Sequence, residues 1–231
     1  MTCLLLRVKS GLLAVVVAVA GLLVPPALAA QGALHVPPLQ AELDAAVIAY
    51  ESGRHAQAQK AFEALSRRGV PAADYNLAVM HLRRELPHAS AARAEALLTR
   101  AARGGFVTAQ LMLAKALENS DFGRRDLTLA HQWYEVAAES GSVEAQVAMG
   151  TAYYLGRGRS QDPLRAAQWF REAAKGGDVG AMYLLASMYE QGDGLDRDLR
   201  LARYWYELAA RGGDEAAPGK LKELDARSGR L

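Results

Sequence analysis

The side chains here that could carry chemistry are five histidines, three tryptophans, two paired loop glycines and a scatter of serines and lysines. A metal site on a helix needs two ligands one turn apart on one face, with a third donor close by. His35, His55, His81, His88 and His131 show no such pairing and no carboxylate partner at ligand spacing, so no metal is expected. A serine nucleophile would announce itself through Ser-x-x-Lys, Ser-Asp-Asn, Lys-Thr-Gly or Gly-x-Ser-x-Gly, and none of these occurs. Gly156-x-Gly158 and Gly192-x-Gly194 could suggest a phosphate loop, but neither follows a strand and neither continues into Gly-Lys-Ser/Thr. They read as turn glycines. No cofactor is expected.

The tryptophans could be platforms for sugar stacking, yet their spacing argues for a scaffold. Trp133, Trp169 and Trp205 lie 36 residues apart, and the same period governs the small residues. Ala73, Ala109, Ala145, Ala181 and Ala217 share one register position, and Ala94, Ala130, Ala166 and Ala202 another. The pairs Ala101-Ala102, Ala137-Ala138, Ala173-Ala174 and Ala209-Ala210 follow, then Gly105, Gly141, Gly177 and Gly213. Each tryptophan is therefore expected in the core between helix pairs.

Within a unit the apolar residues mark two helices. Ala145, Met149, Gly150 and Tyr153 fall on one face of a first helix, A. Ala166, Trp169, Phe170, Ala173 and Ala174 form a stripe wide enough to be buried on a second, B. Asp162 stands at the N-cap of B with Pro163 at its first position, and Asp126 and Asp198 match it. Lys175-Gly176-Gly177 closes the helix. His81 falls where other units carry Tyr153 and Tyr189, which predicts core packing. At the C-terminus, Glu215 to Arg227 predicts a closing helix, with Ala217, Leu221 and Leu224 inward and Lys220, Lys222 and Glu223 outward.

The first thirty residues follow a different logic. Arg7 and Lys9 precede an apolar run from Gly11 to Val24, then Pro25-Pro26 and the small-x-small sequence Ala27-Leu28-Ala29. That order predicts a cleavable signal peptide with the cut after Ala29, an uncleaved membrane anchor being the alternative. No later segment is apolar enough to span a bilayer. Cleavage removes Cys3, the only cysteine, and takes Arg7 and Lys9 from 27 basic residues, leaving 25 against 25 acidic ones. A balanced chain gives no electrostatic reason to expect nucleic acid or an anionic membrane as partner.

The run Ala181-Met-Tyr-Leu-Leu185-Ala-Ser-Met-Tyr189-Glu-Gln-Gly192-Asp-Gly194, continued by Asp198, Ala202, Trp205-Tyr206, Ala209-Ala210 and Gly213, resembles the Sel1-like repeats, relatives of the tetratricopeptide repeat. The resemblance implies an all-α fold, a right-handed α-solenoid of stacked antiparallel helix pairs. After the expected signal peptide (1–29) and a leader remnant (30–39), it divides the chain into a tetratricopeptide-like repeat (40–72), a degenerate unit (73–108), regular units (109–144, 145–180, 181–216) and a capping helix (217–231). The degenerate unit has Leu97 in place of tryptophan and lacks the loop glycines and the cap aspartate. In the unit at 109–144, Ser120 and Phe122 replace the two loop glycines.

For function the resemblance implies a non-enzymatic exported adaptor or regulator, periplasmic or secreted, that binds an envelope or secreted protein on the concave face made by successive A helices. The implied lining positions are Val47, Tyr50, Tyr75, Val79, Lys115, Val147, Thr151, Tyr154, Tyr183, Ser187 and Glu190. A second reading, from a cysteine-rich secreted branch, is a β-lactamase-like or cell-wall-ligand-binding protein. That branch ties its helix pairs with disulfides, which a mature chain without cysteine cannot form.

Overall fold

The computed structural model describes residues 38–227. The expected leader, the segment after it as far as residue 37, and residues 228–231 lie outside that range. Within it all regular structure is helical: α1 (Pro38–Glu51), α2 (His55–Arg67), α3 (Pro71–Leu82), α4 (Ala91–Arg103), α5 (Val107–Asn119), α6 (Leu127–Glu139), α7 (Val143–Leu155), α8 (Pro163–Lys175), α9 (Val179–Gln191), α10 (Leu199–Arg211) and α11 (Ala217–Arg227). Each helix packs on its neighbours in the chain, and α3 also touches α5. The odd-numbered helices are the A helices and the even-numbered ones the B helices of a stacked solenoid.

The caps explain where each helix starts. Asp126, Asp162 and Asp198 accept from the backbone N–H of Leu129, Arg165 and Leu201 at 2.9, 3.0 and 3.1 Å. In the degenerate unit Ser90 does the same for Arg93 at 3.3 Å, so the cap has changed residue and kept its function. The A helices have caps of their own: Ser142, Asp178 and Asp214 accept from Ala145, Ala181 and Ala217. At the other end of each regular A helix, a side chain seven residues on covers an orphan carbonyl. Arg125 donates to the Glu118 carbonyl at 3.1 Å, Gln161 to Tyr154 at 2.9 Å, and Arg197 to Glu190 at 3.0 Å.

The loop from A to B turns through a left-handed residue. Gly156 and Gly192 have φ of +67° and +78°, and the same register position is Ser120 (φ +67°) and Arg84 (φ +56°) in the other two units. These two are the non-glycine residues with positive φ among the described residues. The connection dictates the conformation even where the sequence has lost the residue that adopts it cheaply.

Alanine sets the spacing of the layers. Ala73, Ala109, Ala145, Ala181 and Ala217 are all 0% exposed, as are Ala94, Ala130, Ala166 and Ala202. A larger side chain at such a point would overpack a closed contact at a cost of about 1–3 kcal/mol. One continuous core runs from α3 to α11, and a second cluster, around Ala58, Phe62, Leu65 and Met80, joins α1, α2 and α3. The tryptophans differ from expectation. Trp133, Trp169 and Trp205 are half-buried at the margin of the core, and the aromatic residue that is buried is the next one along, Tyr134, Phe170 or Tyr206. Adjacent residues on a helix are about 100° apart, so only one of each pair can point straight at helix A.

Buried polar groups join successive units. Gln110 and Gln146, at matching positions near the start of A helices, donate to the carbonyls of Ala102 and Ala138 at the end of the preceding B helix, at 3.2 and 3.1 Å. In the unit before, Asp74 stands at the same register position at 2% exposure but accepts from Nε of Arg100, on the B helix of its own unit, at 2.5 Å.

Candidate functional site

The A-helix layer carries the lining positions that the family resemblance implies. On α7, Val147, Thr151 and Tyr154 follow one another at i, i+4 and i+7, and on α9 Tyr183, Ser187 and Glu190 repeat that spacing one unit later. The six form one row on each of two A helices. Val147 and Thr151 are half-buried, and the Thr151 hydroxyl donates to the Val147 carbonyl at 2.8 Å. Ser187 is also half-buried and accepts from Gln191 at 3.0 Å.

Three of the six turn partly inward. The Tyr154 ring meets Phe170 edge-on with centroids 6.5 Å apart, and Tyr183 meets Tyr206 at 5.2 Å. Burial, with a hydrogen bond to Asp193, pushes the Tyr154 phenol up from its ordinary value. Glu190 is only 7% exposed. Its Oε2 accepts from Tyr206 at 3.0 Å and its Oε1 from Arg227 at 2.9 Å, with Lys220 3.9 Å away. It ties the capping helix to the stack.

Lys115 on α5 pairs with Glu144 on α7 and so links two successive A helices. Val79 is half-buried on α3, whereas Tyr75 is 7% exposed with its ring edge-on to Phe106 at 5.4 Å. Val47 and Tyr50 lie on α1 against the N-terminal cluster. Tyr50 accepts from Arg83 at 2.9 Å, donates to Glu85 at 3.2 Å and stacks on His55 at 5.5 Å. Burial and the Glu85 carboxylate raise its pKa. Tyr75 and Glu190 are thus packing residues, and the remaining positions keep some surface.

Sequence reasoning missed apolar A-helix residues beside these rows. Leu155 and Leu184 are 50% and 36% exposed, on the same helices as Thr151 and Ser187. A leucine that leaves the alanine register was the available signal.

Among the described residues no group of three histidine, cysteine or acidic side chains is placed to hold a metal. An open cleft of about 430 Å³ lies between the loop after α3 and Asp121, lined by His81, Leu82, Arg84, Leu86 and Ser90 among others. It brings a serine near a histidine, but His81 Nδ1 accepts the Ser90 backbone N–H at 3.3 Å, and the Ser90 hydroxyl caps α4. The pair therefore lacks the hydroxyl-to-imidazole bond that activates a nucleophile. No described helix is long and apolar enough to cross a membrane.

The model of the Sel1 repeat matches four consecutive segments, residues 71–106, 107–142, 143–178 and 179–214. The chain belongs to the Sel1 repeat family. Sel1 repeats are commonly protein-interaction modules. The family's frame opens each unit at the first turn of helix A and leaves the α1–α2 pair outside the matched segments.

Two solved Sel1-type structures resemble it. One is a protective antigen of uropathogenic Escherichia coli strains displaying an SLR fold, with a TM-score of 0.74 and 28% identity over 82% of this chain and 42% of that one. Another is a Sel1 repeat protein from Oxalobacter formigenes, with a TM-score of 0.67 and 32% identity over 73% of this chain and 49% of that one. The chain spans less than half the length of either. No curated protein matches it by sequence.

Proposed function

We propose that this Sel1 repeat protein is an exported, non-enzymatic adaptor that holds an envelope or secreted protein against its A-helix surface. The observation that carries the reading is the character of the α5–α7–α9 surface. Val147, Thr151, Ser187, Leu155 and Leu184 are uncharged and at least partly exposed, and Lys115 and Glu144 on this surface pair with each other. Such a surface suits a partner that brings apolar and neutral polar side chains. Export rests on the basic start, apolar run and Ala27-Leu28-Ala29 of the leader.

The test is capture from envelope extract by the mature chain and by a Thr151→Arg/Leu184→Arg double variant. Both positions are off the buried core, so the variant keeps its fold. The wild-type protein captures a partner and the variant loses it. Equal capture by the two would remove the A-helix surface from the account. Export is checked separately by the mass of the protein recovered from the envelope fraction, which lacks residues 1–29.

A further inference from the structure

Two buried histidines sit where the solenoid's A-to-B loops meet the stack, and nothing in the partner-binding reading uses them. His81, in the last turn of α3, is 9% exposed, and its Nδ1 accepts the backbone N–H of Ser90 at 3.3 Å. Ser90 ends the 83–90 loop and caps α4. Accepting that bond requires a lone pair on Nδ1, so the imidazole must be neutral. Protonation there would set two N–H groups against each other and leave the Ser90 amide without its acceptor.

His131, on α6, is 7% exposed and lies directly under the loop of the following unit. A Cβ added to Gly158 would fall 2.4 Å from His131 Cε1, so loop and ring are already in contact. The next loop residue, Arg159, stacks over the Tyr153 ring at 4.4 Å and reaches Glu135 on α6 at 3.9 Å. A charge on the ring would appear in a closed space beside this guanidinium.

We infer that His81 and His131 form an acid-sensitive pin: neutral, they hold the 83–90 and 156–162 loops on the stack, and protonated, they release them. The charges around each ring agree with it. Burial lowers the pKa of His81, the Arg93 guanidinium lowers it further, and Glu63 opposes. Arg84 and Asp121 line the cleft that His81 shares. Burial and then Arg159 lower the pKa of His131, against Glu118, the Gly158 carbonyl and Glu135.

A histidine whose folded pKa is depressed binds protons more readily when its loop is open, so closure is fully favoured above the free value of about 6.5. It weakens as the pH falls below that value, and each unit of depression corresponds to about tenfold in the opening equilibrium.

The experiment is amide hydrogen exchange on the whole mature chain at pH 7.5 and 5.5, corrected for intrinsic rates, alongside an NMR titration of the histidine Cε1–H signals. Both histidines are expected to titrate below free histidine. The Ser90 amide and the 156–162 loop should lose protection across that range, by at most about tenfold. The 192–198 loop, whose Gly194 abuts Pro163 rather than a histidine, should keep its protection. His81→Tyr, which installs the residue found at Tyr153 and Tyr189, and His131→Ala, which matches Ala167, should each abolish the pH response of their own loop alone. Unchanged protection of both loops while both histidines titrate would overturn the inference. So would a pH response that survives in both variants.

Discussion

Tyr134 donates its hydroxyl to Oε2 of Glu118 at 2.7 Å, and Tyr206 makes the same bond to Glu190 at 3.0 Å two units later. In the unit between, the matching residues are Phe170 and Tyr154, and two rings replace the hydrogen bond. The exchange happens at both ends of the contact, so each unit keeps a satisfied pair between its A and B helices. In both hydrogen-bonded units burial, reinforced by the carboxylate, drives the tyrosine pKa above its ordinary value. Tyr134→Phe alone leaves a carboxylate oxygen without its donor and should cost about 1–3 kcal/mol in chemical denaturation. Adding Glu118→Tyr, which copies the 154/170 pair, should recover most of that loss.

Gly150 and Phe170 make a second matched pair. A Cβ on Gly150 would lie 2.7 Å from the Phe170 ring, which is 1% exposed and has little room to move. Gly150→Ala should therefore destabilise by about 1–3 kcal/mol, although alanine is the better helix former. Two units earlier the same positions are Ala78 and Leu98, both 0% exposed. Combining Gly150→Ala with Phe170→Leu should thus lose less than the first change alone, as read by thermal melting.

The left-handed position of the A-to-B loop offers a gain. Arg84 and Ser120 hold φ of +56° and +67° without glycine's freedom. Left-handed backbone costs an L-residue about 1–2 kcal/mol, and glycine returns roughly 0.5–1 kcal/mol of that as chain entropy. Arg84→Gly and Ser120→Gly should each leave a net stabilisation of up to about 1 kcal/mol, visible as a rise of a few degrees in Tm. A fall in Tm for both would remove the strain from the account.

The second loop glycine works by proximity. A Cβ on Gly194 would stand 2.3 Å from the Pro163 carbonyl carbon, a backbone atom that cannot step aside, whereas one on Gly213 meets nothing within 4 Å. Both have positive φ. Gly213→Ala should cost only the conformational strain, about 1–2 kcal/mol, and Gly194→Ala about 3 kcal/mol or more, because it also parts two units. Parallel urea titrations compare them.

Much of this was legible in the sequence because the repeat presents the same evidence several times. The alanine registers fixed which faces close, and Asp126, Asp162 and Asp198 marked the starts of B helices. Ser90 could have been read as a cap by the same rule, since a serine hydroxyl accepts as an aspartate does. The limits were physical. A helical stripe is about 100° wide, so it did not tell Trp169 from Phe170, and the structure buries the phenylalanine. Glu190 and Tyr154 sit at one register position that the family resemblance assigned to the binding face. Their inward turn depends on the residue sixteen positions later on helix B, and no single-helix periodicity carries that information. The two strained loop residues were invisible for a related reason: the demand for positive φ comes from the connection, and neither arginine nor serine signals it.

The claim on which the account rests is that a partner seats on the A-helix layer. A photo-crosslinking residue placed in turn at Thr151, Leu184 and, on the B-helix layer, Tyr204 (51% exposed) tests it directly in the cell envelope. A discrete protein adduct is expected from Thr151 and Leu184 and none from Tyr204. An adduct from Tyr204 alone, or equal yields from all three positions, would contradict it.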